Sequence, residues 1–279
     1  MSAFADSLAT AFDLVQQAEP RLVQTVWLSL GVSGTATLIG SAFGLAAGAL
    51  LAVTRFPGQR AVVGVVNTLL AMPSVVLGLV VYLLLSRAGP LGPWGILFTP
   101  QAMVFAQSLL VLPLVAALAR RVVLSAMAEG GEQLRSLGAG PLASALLLLV
   151  HERFALLTVL LTAFGRAVAE VGAVMIVGGN IEGATRVMTT AIALETSKGD
   201  LPLALALGIV LLSVVGLVNL LVSFTLALIV ALKARRIPFL YVTSLVAPLA
   251  ARLRQAPLDF LRPPREHGAR PPSTGDLPP

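Results

Sequence analysis

Arg166 and Glu170 stand four residues apart in the apolar stretch 154–177. On a helix that spacing sets a guanidinium and a carboxylate on one face, with Arg first, the less favourable order for the helix dipole. Charges in a segment of hydrocarbon length persist only where protein, an opposite charge or water surrounds them, because isolated ions are costly to desolvate. Two chemistries fit. One is an ion pair, within the chain or between subunits. The other is brief attraction of a divalent tetrahedral oxyanion by Arg166, since a guanidinium matches such oxygens. Glu170 repels the same anion, which favours pairing. Other reactive groups are sparse. The absence of Cys excludes disulfides, thiolate catalysis and Cys-ligated metals. The two histidines, His151 and His267, make no persuasive metal set or catalytic base. No G-x-x-x-x-G-K-[ST] phosphate loop occurs, so the chain is expected to carry no cofactor and to hydrolyse no ATP itself.

The elements that must hold the charged pair follow from composition. Of 279 residues, 57% are apolar and 11% are Asp, Glu, Lys or Arg, far from a soluble balance. Apolar runs reach bilayer length repeatedly, so an all-α polytopic membrane protein with about five transmembrane helices is predicted. No charge falls between Leu22 and Thr54 or between Ala61 and Ser86, which gives two spans around the basic turn 55–60. A third span runs from Gly95 to Ala119, after the Pro- and Gly-rich turn 88–95. The fourth runs from Phe154 to Val177, and the fifth from Leu201 to Leu232 is long enough to tilt.

The net charge of +6 is a local bias rather than a nucleic-acid footprint, because eight of the nineteen basic residues lie between Lys233 and Arg270. Residues 55–60, 120–153 and the tail after 232 hold two, four and eight basic residues, so these regions are expected to face the cytoplasm. The N-terminus then lies outside and the C-terminus inside. The first basic residue is Arg21, so the positively charged start of a signal peptide is missing and nothing suggests cleavage. The expected organisation is an outer segment 1–21, a membrane domain 22–236 with a cytoplasmic loop 121–153, and a tail 237–279. The Pro-rich end of that tail favours disorder, with a short surface association around 239–250. Phe4, Leu8 and Phe12 share one face of a short helix expected along the outer interface, a frayed terminus being the other reading. Pro73 and Pro113 are expected to interrupt their helices, since proline lacks an N–H. The spacing of Gly40, Gly44 and Gly48 would allow close helix contact.

The segment E132-Q-L-R-S-L-G138-A resembles the Glu-Ala-Ala-x-x-x-Gly signature of permease subunits in type I ABC importers. Glu132 and Gly138 match, while Gln133 and Leu134 stand where the family has alanines. His151 and Glu152 stand where many relatives have Leu-Pro. The resemblance implies a short coupling helix, with Glu132, Leu134, Leu137, Gly138 and Ala139 docking on an ATP-hydrolysing subunit. Gly138 would end that helix and open a turn towards Pro141.

A more particular resemblance, to tungstate ABC transporter permeases, spans residues 1 to 235. It rests on N67-T-L-L-A-M-P, V80-V-Y-L-L-L-S-R-A-G-P-L-G92, F164-G-R-A-V-A-E-V-G-A-V-M-I-V-G-G-N180 and M188-T-T-A-I-A-L-E-T-S-K-G199. Molybdate and sulfate permeases are the neighbouring comparison. The resemblance implies a bacterial or archaeal cytoplasmic membrane and a complex of two copies of this chain. Two cytoplasmic ABC ATPase subunits that use ATP and magnesium would join it, with an extracytoplasmic oxyanion-binding protein. It also implies an outer gate and docking surface around Asn180, Thr185, Arg186 and Thr189. The other class of function is a membrane scaffold or sensor that kept the fold without transporting.

Overall fold

The computed structural model describes residues 7, 9–13, 16, 20–136 and 138–236. Among them nine α-helices follow one another from Pro20, with no strand. They are α1 (Pro20–Val53), α2 (Gln59–Leu70), α3 (Ser74–Leu85), α4 (Pro100–Ser136), α5 (Pro141–His151), α6 (Arg153–Val168), α7 (Gly172–Gly178), α8 (Met188–Lys198) and α9 (Leu201–Arg236). The chain divides into two compact units, Met1–Leu221 and Val222–Pro279, and every contact described below lies in the first. The expected tail 237–279 falls outside the described residues, as do Phe4, Leu8 and Leu137.

Three helices are long and apolar enough to cross a bilayer unbroken: α1, α4 and α9. Two further candidates are bent pairs, α2 with α3 at 101° and α5 with α6 at 78°, so five spans result when each pair counts as one. The apolar runs therefore located α1, α4 and α9, whereas the bent pair α5 and α6 starts at Pro141, inside the expected loop 121–153, and ends at Val168, short of the expected fourth span's end at Val177.

The axis of the fold is the contact between α1 and α4. A Cβ at Gly40 would lie 2.8 Å from Val111, one at Gly44 2.8 Å from Val115, and one at Gly48 would overlap the Ala116 carbonyl oxygen. These glycines recur every four residues, so they form one stripe that lets the two backbones touch. Ser108 Oγ donates to Val104 O at 2.8 Å and lies 3.4 Å from Ala36 O, which gives this interface a polar contact.

The prolines behave differently from each other. Pro73 stands in extended backbone (φ −60°, ψ 130°) at the start of α3. Its ring disfavours the helical conformation at Met72, so α2 stops at Leu70. Pro113 lies inside α4, which continues through it to Ser136. This departs from the expected interruption. α4 is held along its length by the α1 glycine stripe and by α6, whose Val159, Ala163 and Ala167 pack with Val111 and Val115. That packing keeps the helix going past the missing hydrogen bond at Pro113.

At the basic end of the bundle α4 runs on as a helix of 37 residues. It rises about 55 Å, well beyond a hydrocarbon core of about 30 Å. Glu132 and Leu134 therefore belong to the last turns of α4, and not to the separate short helix that the resemblance implies. The ending is as expected. Gly138 adopts φ +74°, and Ala139 N–H donates to Leu134 O at 3.0 Å, which satisfies an orphan carbonyl of the last turn. Pro141 then opens α5 after Gly140.

Candidate functional site

The predicted fourth span is broken where its charges lie. α6 ends at Val168, and Ala169, Glu170 and Val171 lie between it and α7. Glu170 therefore does not share a helix face with Arg166, as its spacing suggested. The pair still forms: Arg166 Nη1 donates to Glu170 Oε2 at 2.8 Å. The break frees the carboxylate for a second task, because Glu170 Oε1 accepts from Ala173 N–H at 3.1 Å in the first turn of α7. A carboxylate there satisfies an orphan donor and complements the positive end of the helix.

The surroundings show which partner is fixed and which is free. The Glu170 side chain is 2% exposed, whereas that of Arg166 is 49% exposed. The carboxylate is thus locked inside the protein, and it holds Nη1 of an arginine whose side chain stays half exposed.

Several helices converge on this break. Gln107 of α4 donates from Nε2 to Ala167 O at 2.9 Å, and Thr189 of α8 donates to Glu170 O at 2.8 Å. One step along, Met188 N–H donates to Ser29 Oγ of α1 at 2.8 Å. Ser74, the first residue of α3, stands beside the Glu170 carboxylate. A Cβ on Gly172 would lie 2.6 Å from Val75 and 3.2 Å from Ser74 Oγ. The break made by Pro73 therefore meets the break made at Glu170, and only glycine at 172 allows them so close. Side chains from α4 and α8 satisfy backbone carbonyls that an unbroken helix would have satisfied internally. Sequence reasoning missed Ser29, Ser74 and Gln107. Gln107 carried a readable signal, a buried amide in an apolar span. The serines carried none, since hydroxyls commonly bond back within their own helix.

At the end of the bundle opposite the basic loops, the four residues proposed for docking divide in two. Thr185 is buried: its hydroxyl donates to Gly178 O and accepts from Ile181 N–H. Thr189 is likewise buried and bonded to Glu170 O. Both hydroxyls shape the loop from within. Asn180 sits at φ +51°, a left-handed position that Asn tolerates. Arg186 Nη1 pairs with Glu182 at 3.1 Å, and Glu182 also pairs with Arg21 at 3.0 Å. This triad lines a cleft of about 420 Å³, with Gln24 and Glu195 on its walls.

At the basic end Glu132 and Gly138 are exposed, and Leu134 and Ala139 are half-buried. Beside them a cleft of about 400 Å³ opens between α4 and α5, lined by Glu129, Gln133, Leu134, His151 and Glu152. The exposed His151 lies 3.9 Å from the Glu152 carboxylate. Among the described residues no three His, Asp or Glu side chains gather as a metal set. Of the helical turn 9–13, Ala11 is buried against Met188, Ala206 and Val210, while Phe12 is 63% exposed.

Comparison with known proteins gives the arrangement its family. The chain is 41% identical to the tungstate uptake system permease protein of Peptoclostridium acidaminophilum over 219 residues, 78% of this chain and 96% of that protein. It is 40% identical to a probable anion ABC transporter permease protein of Haloferax volcanii, over 71% of this chain and 88% of that protein. It is 30% identical to the sulfate transport system permease protein of Escherichia coli K12, over 60% of each. A family model described as site-specific recombinase matches residues 183–263. That match takes in less than half of the chain, whereas the permease likeness runs through spans, breaks and loops alike. This chain therefore belongs to the ABC importer permeases of the molybdate, tungstate and sulfate group, as a multi-pass membrane subunit for oxyanion transport.

Proposed function

We propose that the chain is the membrane subunit of an ATP-driven tungstate importer, working as a homodimer with two cytoplasmic ATPase subunits and an external oxyanion-binding protein. The observation that carries this reading is Arg166, whose Nη1 is held at a helix break by a buried carboxylate while its side chain stays half exposed. The higher identity to the tungstate permease than to the sulfate permease favours tungstate. Arg166 guides the anion in passing and does not store it, because Glu170 already occupies one edge of its donor fork. High selectivity then rests with the external protein. Calorimetric titration of that protein with tungstate, molybdate and sulfate, followed by uptake into proteoliposomes of the whole complex, tests the assignment. Preference for tungstate in both measurements is expected; preference for sulfate or molybdate would reassign the substrate.

In this reading the basic end faces the cytoplasm, the triad of Arg21, Glu182 and Arg186 faces the binding protein, and Asn180 belongs to the same outer surface. Thr185 and Thr189 support that surface from beneath. The end of α4 with the turn to α5, including Glu132, Leu134, Leu137, Gly138 and Ala139, couples to the ATPase. Glu132→Arg reverses an exposed charge without altering a span, and like charges brought together at an interface cost several kcal/mol. Stimulation of ATP hydrolysis by loaded binding protein is expected to fall roughly tenfold or more, with insertion into the membrane intact. Normal assembly and normal stimulation would remove Glu132 from the coupling surface.

A further inference from the structure

Among the described residues Arg120 of α4 has no charge partner. Its Nε is buried without a hydrogen-bond acceptor, and among the described residues neither Arg120 nor its neighbour Arg121 enters an ion pair. The cause is visible in the sequence: no Asp or Glu occurs anywhere from Pro20 to Ala128. On the other elements packed against α4, Glu170 is taken by Arg166 and Glu152 stands beside His151. A buried donor without an acceptor is costly, and native structures supply one from water, an ion or a ligand.

Arg120 and Arg121 line a small cavity of about 130 Å³ between α1, α2 and α4, together with Leu51, Val63, Asn67 and Ala117. Arg120 is twenty residues into α4, about 30 Å from its start, which is one hydrocarbon thickness. With the orientation proposed above, on which this inference rests, the cavity lies at the inner headgroup level. Arg55 and Arg60 in the adjacent turn add to its positive potential, and Val62, Val65 and Leu69 of α2 are exposed alongside. A water molecule would satisfy the Nε–H but leave the local excess of positive charge. An oxyanion answers both needs, accepting from the guanidinium and from the Asn67 amide. Basic pockets between helices on this side of a membrane suit phosphate head groups.

We propose that this cavity binds a tetrahedral oxyanion group between Arg120 and Asn67, either the phosphate of an inner-leaflet anionic lipid or a free oxyanion on the cytoplasmic side. The full chain in phosphatidylcholine nanodiscs is titrated with phosphatidylglycerol in one arm, and with inorganic phosphate or tungstate at matched ionic strength in the other, while the thermal unfolding midpoint is followed. A rise with phosphatidylglycerol alone identifies the lipid, and a rise with the inorganic anions identifies the free species. Arg120→Gln and Asn67→Ala should each weaken the apparent affinity about tenfold or more, while Arg87→Gln at the other end leaves it unchanged. A wild-type midpoint indifferent to every probe, or variants that titrate like wild type, overturns the proposal. Should Arg120→Gln fail to fold, Asn67→Ala decides in the same way. No transport is measured, so the outcome is independent of the substrate assignment.

Discussion

Arg166→Ala is expected to destabilise the protein by about 3 kcal/mol, at the low end of the cost of stranding one member of a buried pair. The reason lies in the asymmetry of the pair: the carboxylate left behind is 2% exposed and cannot turn to water. Adding Glu170→Gln to that variant should restore at least half of the loss. Glutamine removes the stranded charge but keeps an oxygen for Ala173 N–H. Arg166→Ala with Glu170→Ala should recover less, because the first turn of α7 then loses its acceptor. Unfolding midpoints of the purified complex, read as a double-mutant cycle, measure the coupling. Strictly additive losses would show that the two residues do not act as a unit. Should stability survive Arg166→Ala while tungstate uptake disappears, the arginine serves the anion and not the fold.

Gly48→Ala carries the other large effect. Its Cβ would overlap the Ala116 carbonyl oxygen and come within 3.0 Å of Arg120 N, both backbone atoms that cannot rotate away. The two helices must separate, which costs about 1–3 kcal/mol or more in a packed interface. Gly31→Ala on the same helix meets nothing within 4 Å and should be neutral or slightly stabilising, because alanine favours the helix. Comparing the two unfolding midpoints isolates the contact from the propensity. Equal midpoints would mean that α1 and α4 are not closely packed at Gly48.

The pattern of these effects explains what the sequence made legible. Charge-free runs located the long helices, because hydrocarbon length is recorded directly in composition. The breaks were harder to see. Pro73 and Pro113 have the same covalent chemistry, yet one ends α2 and the other lies within a continuous helix. Packing decides between them, and packing is not local. Nothing in A169-E-V171 announces a helix end, because it holds neither Pro nor Gly and Glu is a good helix former. The pairing of Arg166 with Glu170 was legible from spacing, although the geometry that makes it is not helical. The glycine spacing in α1 also occurs by chance in such a chain, and only the facing α4 backbone gives it meaning. Of the outer polar residues, type alone could not separate Thr185 and Thr189, which are bonded inward, from Arg186, which joins a charged surface triad.

The length of α4 gives the molecule a mechanical property. One helix carries both the backbone contact at Gly48 and Arg120 and, farther along, Glu132. The dozen residues from Arg120 to Glu132 rise about 18 Å, so a rotation of about 10° about the Gly48 contact sweeps the tip through about 3 Å. With Glu132 moved by a partner as proposed above, the α1–α4 contact would act as a fulcrum and the end of α4 as a lever arm. Gly130 and Gly131 lie between the two points, so they are where such an arm would bend first.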